Sequence, residues 1–89
     1  MMLERTPLFS VGNRVAVRIG DEGEAGIGTV LERRPPRTPY GNWVYLVLLT
    51  EIIGKSSSIK PVSVLKPEKH LQNVEEATAK RLMGKPVFP

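Results

Sequence analysis

Apolar and polar residues alternate with a two-residue period along much of this chain, and that period predicts strands. In "RVAVRI", Val15, Val17 and Ile19 alternate with Arg14, Ala16 and Arg18, the pattern of a half-buried first strand that Gly20 ends. "DEGEAG" carries Asp21, Glu22 and Glu24 with no β-branched residue, so it reads as a loop. A second strand follows in "IGTVLERR", and the prolines and glycine of "PPRTPYGN" place a long hairpin loop over 35–42. The third strand opens with seven consecutive apolar or aromatic residues, Trp43 to Leu49. After Ile52 and Ile53, "GKSSS" is a turn, "SIKP" a short fourth strand, "VSV" a single helical turn and "LKP" a fifth strand.

The tail changes period. Asn73 is a helix N-cap, Glu76 stands three residues later as in a capping box, and Glu75 adds negative charge to the first turn. Lys80 and Arg81 suit the other end, and Gly84 and Pro86 stop the helix, which is expected over 74–83.

The third strand poses a packing problem. Trp43, Tyr45, Val47 and Leu49 share one face, and Val44, Leu46 and Leu48 share the other. If the first set fills the core, the second points outward, joined by Leu31 because Val30 faces in. Burying a large aliphatic side chain is worth about 1.5 to 3 kcal/mol, so this outer face calls for a cover. One cover is the C-terminal helix with "PVFP", which offers Leu71, Val74, Ala77, Leu82, Val87 and Phe88. The other is a protein partner or a second copy of the chain. A mixture leaves part of the face for a partner.

Composition narrows the chemistry. With 89 residues the chain is one domain, and with no cysteine it has neither disulfides nor thiolate metal sites. The single histidine, His70, gives no zinc-ligand spacing and reads as an exposed residue after the last strand. No cofactor is expected. The absence of cysteine, of a signal-peptide pattern and of a long apolar run fits a cytoplasmic protein with no membrane contact. The net charge of +4 and pI of 9.8 permit a phosphate-rich partner without demanding one. Acids gather in "GDEGEAG" and bases in "ERRPPR", giving the molecule a dipole.

"FSVGNRVAVRIGDEGEAGIGTV" resembles the first half of Src-homology-3-like barrels, in particular the KOW type of ribosomal and transcription factors. "GNWVYLVLLTEIIGKSSS" resembles the glycine-rich cytoskeleton-associated domain, in which a Gly-x-Trp-Val strand precedes a Gly-Lys loop. With five short strands between turn signals, they imply a mostly β fold, a five-stranded barrel, to which the capping signals add a short C-terminal α-helix. They do not carry an activity over. The first loop is acidic here where the KOW loop is usually basic, and Gly54 and Lys55 lead into Ser56, Ser57 and Ser58 instead of Asn-Asp-Gly.

On this reading residues 1–8 are an N-terminal arm, 9–70 the barrel and 71–89 the helix and tail. The expected function is non-enzymatic: an interaction module or small accessory subunit. It would bind a protein partner, or a second copy, through Leu31, Val44, Leu46 and Leu48, with Arg33, Arg34 and Arg37 steering an acidic surface. The alternative is a nucleic-acid-binding barrel that uses Arg14, Arg18, Arg33, Arg34, Arg37, Tyr40 and Trp43, since arginines neutralise phosphates and aromatics stack bases. Arg33, Pro36 and Pro39 also match a basic residue followed by two prolines, although a stiffened hairpin loop explains the prolines as well. "GEAGIG" lacks the lysine and the helix of a phosphate loop. The serines and paired carboxylates lie in loops with no catalytic partner in view.

Overall fold

The computed structural model describes residues 6–20, 24–38, 41–53 and 59–88. In chain order the elements are β1 (Arg14–Ile19), β2 (Glu24–Arg34), β3 (Val44–Ile52), β4 (Val62–Pro67), a 3₁₀ turn (Glu68–His70), β5 (Leu71–Asn73) and α1 (Val74–Leu82). The five strands form one antiparallel sheet in the order β4-β3-β2-β1-β5. The fold is mostly β with one short C-terminal helix, as the residue pattern implies.

The sheet curls because its two edges are joined by a short piece of chain. Four strand spacings would hold β4 and β5 about 19 Å apart in a flat sheet, whereas the steps from Pro67 to Leu71 reach at most about 14 Å even when extended. A 3₁₀ turn is shorter still. Curling gathers Val15, Val17, Val30, Tyr45, Val47, Leu49 and Leu71 into one buried cluster, with Phe9, Ile19, Trp43, Ile59 and Val64 packed against it. Trp43, Tyr45, Val47 and Leu49 therefore do face the core, and Val30 with them.

Four local readings of the sequence are corrected by strand pairing. First, β2 starts at Glu24, not after the glycines, because Glu24, Ala25 and Gly26 pair with Ile19, Arg18 and Val17 of β1. Second, "VSV" is not a helical turn: Val62, Ser63 and Val64 pair with Leu49, Leu48 and Val47, where β-branched side chains pack well. Residues 62–67 are thus one edge strand, with Pro67 at its end, where a missing N–H costs no ladder bond. Third, the fifth strand is Leu71–Asn73, paired to β1, so the sheet extends past residue 70. Fourth, His70 lies before that strand in the 3₁₀ turn and is half-buried. The readings on Asp21, Glu22, Pro39, Tyr40 and 54–58 fall outside the described residues.

The helix starts and stops where its sequence signals place it, but Glu76 pairs with Lys80 at 3.8 Å and closes no capping box on Asn73. The Asn73 side chain accepts a hydrogen bond from the Glu75 N–H at 2.8 Å, capping the first turn. Gly84, at φ +71°, stops it in a conformation that disfavours side chains. The covering of the outer face is only partial. Ala77 of α1 and Val87 and Phe88 of the tail bury Ala16 and Ala25, with Ile53 alongside. Gln72 fastens the tail by donating to the Val87 carbonyl, and Lys80 donates to Gln72 at 3.2 Å. This lid covers the β1 side of the sheet and does not reach the outer face of β3. Leu71 belongs to the other cluster, and Leu82 is 84% exposed.

"GEAGIG", which is no phosphate loop, has a packing role. A Cβ on Gly28 would stand 2.5 Å from the Leu48 carbonyl oxygen and 2.7 Å from Val47, and one on Gly26 would stand 2.5 Å from Leu49. The backbones of β2 and β3 approach too closely here for any side chain. Gly28→Ala is expected to destabilise the fold by about 1 to 3 kcal/mol, the usual cost of overpacking, read as a lower urea midpoint. An unchanged midpoint would mean that the close approach is not required.

Candidate functional site

The outer face of β2, β3 and β4 carries an apolar strip set by register. Leu46 lies opposite Glu32 on β2 and Leu65 on β4, Leu48 opposite Thr29 and Ser63, and Val44 opposite Arg34 and Pro67. A register shift between Val30 and Glu32 inserts Leu31 as an extra residue, a β-bulge that turns it outward beside Glu32. Leu31 is 43% and Leu65 49% exposed, while Val44, Leu46 and Leu48 are half-buried. Completing the burial of Leu31 and Leu65 would be worth roughly 1 kcal/mol each.

At one end of the strip the β2–β3 loop stands over the sheet and encloses a pocket of about 380 Å³, lined by Arg34, Pro35, Arg37, Thr38, Gly41, Asn42, Val44 and Leu65. Pro35, Val44 and Leu65 give it an apolar part, and Arg34 and Arg37 are its charged lining residues. Arg34 also pairs with Glu32 at 3.3 Å in an exposed contact, which is worth little in water. Arg37 makes no ion pair among the described residues.

The residues grouped by sequence separate into distinct places. Leu31, Val44, Leu46, Leu48, Arg34 and Arg37 come together. Arg33 does not join them: it lies opposite Tyr45, on the face turned toward the core, where it donates to the Phe9 carbonyl at 3.4 Å and sits 5.8 Å from the Trp43 ring centre. Of the residues of the nucleic-acid alternative, Arg14 pairs with Glu51 at 3.5 Å, Arg18 lies further along β1, and Trp43 packs on the core. Tyr40 is outside the described residues. The sequence reading passes over Leu65 because it separates "LKP" from "VSV"; taking 62–67 as one strand puts Leu65 on the face of Ser63, opposite Leu46.

Behind the strip a polar clamp holds the N-terminal arm. The Tyr45 hydroxyl donates to the Glu68 carboxylate at 2.6 Å and accepts from the Phe9 N–H at 3.5 Å, and the Leu8 N–H donates to the same carboxylate at 3.2 Å. The Phe9 and Tyr45 rings meet edge to face, 5.6 Å apart. Burial first, then the Glu68 hydrogen bond, pushes the Tyr45 pKa up to about 12.

Among the described residues no group of three or more His, Asp and Glu side chains could hold a metal ion, and no helix is long and apolar enough to cross a membrane. Fold and site together define a small, mostly β protein with a half-exposed apolar face beside a basic pocket. Comparison with protein-family models, with curated proteins and with solved structures returns no match.

The clamp makes a pH prediction. A phenol whose pKa is raised on folding contributes stability that is complete below its ordinary value of 10.0 and is lost as pH rises toward about 12. Tyr45→Phe should lose that alkaline slope and cost about 1 to 3 kcal/mol at neutral pH by leaving Glu68 and Phe9 short of a partner. Urea unfolding at pH 7 to 11.5 reads both effects, and an unaltered slope in the variant would remove Tyr45 as its source.

Proposed function

We propose that this chain is a non-enzymatic interaction module or small accessory subunit of the cytoplasm, and that its curled sheet is a barrel of the Src-homology-3-like kind. The observation that carries the reading is the uncovered strip of Leu31, Leu46 and Leu65 next to a pocket walled by Arg34 and Arg37. Apolar area gives affinity by desolvation, and flanking charge sets the partner's sign and speeds encounter. The fitting partner is a protein segment with apolar side chains for the strip and a carboxylate for the pocket. A second copy fits less well, because its net charge of +4 repels its like. The placement of the lid over Ala16 and Ala25 supports this reading, since the chain's own C-terminus is engaged elsewhere.

Capture of partners from native lysate, with and without nuclease, tests the proposal when run beside surface variants. Partner retention should survive nuclease, be lost in Leu65→Asp and fall about tenfold in association rate in Arg34→Glu/Arg37→Glu, while circular dichroism shows the fold unchanged. Retention that disappears with nuclease, or that persists in Leu65→Asp, would favour the nucleic-acid reading instead.

A further inference from the structure

A separate group of cations surrounds the 3₁₀ turn between β4 and β5. The pairing of Val17 with Leu71, continued by one residue, sets Arg18 of β1 across from His70 at the end of the turn. Lys69 precedes His70 within the turn, and Lys66 stands one residue from the end of β4. Lys66 lies opposite Tyr45 and alternates with Leu65, so it faces away from the apolar strip. Arg18, Lys66 and His70 are half-buried and Lys69 is exposed.

Among the described residues these charges have no ion-pair partner. Among the described residues Arg18, Lys66 and Lys69 make neither a salt bridge nor a side-chain hydrogen bond. The acid of the turn, Glu68, accepts from the Tyr45 hydroxyl and the Leu8 N–H. Glu24 on β2 is exposed and lies opposite Ile19, one position beyond Arg18. Like charges brought together in partly desolvated surroundings repel one another, and burial followed by Arg18, Lys66 and Lys69 holds the His70 imidazole below its ordinary pKa.

We propose that Arg18, Lys66, Lys69 and His70 form a binding site for a phosphate-bearing ligand. A tetrahedral oxyanion offers acceptors in several directions. The guanidinium of Arg18 can give two parallel N–H bonds, and the lysines act as mobile point charges. Its negative charge would also favour the protonated imidazole, making His70 a further donor. A free phosphate and one phosphate of a nucleic-acid backbone present the same chemistry to this site. The site is independent of the docking strip and does not rest on that reading.

His70 is the single histidine of the chain, so its ring resonance is an unambiguous reporter. Its NMR titration is to be followed in chloride, in inorganic phosphate and with an eight-residue oligothymidylate, all at matched ionic strength. A bound phosphate should raise the His70 pKa by about one unit relative to chloride. The rise should disappear in Lys66→Ser/Lys69→Ser, be smaller in Lys69→Ser, whose side chain is exposed and can be removed without disturbing the core, and persist in Arg37→Ser. A rise with inorganic phosphate identifies a discrete anion as sufficient, and a rise with the oligonucleotide alone identifies a polyanion; either supports the site. The same titration in all three solutions, or a rise that survives removal of both lysines, overturns it.

Discussion

The connection from β4 to β5 is the constraint on which the architecture depends. A turn of Glu68, Lys69 and His70 must carry the chain from one edge of a five-stranded sheet to the other, and a flat sheet is too wide for that. Curling follows, and with it a concave face where side chains from β1, β2, β3 and β5 meet around Tyr45. The turn is itself held to that core, because Glu68 takes the Tyr45 hydroxyl and its N–H donates to the Trp43 carbonyl at 3.0 Å. The curl also gives the sheet a convex side, which the chain covers in part.

Coverage of that convex side is limited by what α1 can offer. The helix presents Ala77 as its buried residue, and small side chains suit the small Ala16 and Ala25 beneath. Val87 and Phe88 complete this second cluster, pinned through Gln72. Nothing in it extends to Leu46 or Leu65. The surface therefore divides into a closed part over β1 and an open apolar part over β2, β3 and β4. The bulge after Val30 sharpens the division, since it brings Leu31 into the open part while leaving Val30 in the core.

Charge follows the same geometry. Arg33 and Arg34 are neighbours in sequence and point to opposite faces, so one serves the Phe9 and Trp43 contacts and the other the pocket. Arg18 and His70, far apart in sequence, are brought together by the β1–β5 pairing. A run of arginines therefore says little about where positive potential lies until register is known.

Much of the fold was legible because its causes are local. The alternation of Val15, Val17 and Ile19 with Arg14 and Arg18 set β1; the spacing of Trp43, Tyr45, Val47 and Leu49 set the inner face of β3; and Asn73 with Gly84 set α1. Pairing partners decided the rest. Short segments such as "VSVLKP" carry too little periodicity to choose between turn and strand, and β3 chose strand by pairing with them. Likewise "DEGEAG" reads as a loop until β1 and β3 close on either side of Gly26. The outer residues Val44, Leu46 and Leu48 were visible as an apolar face from their spacing alone. That Leu65 completes it, and that α1 leaves it open, depended on contacts between residues distant in the chain, which a one-dimensional pattern does not encode.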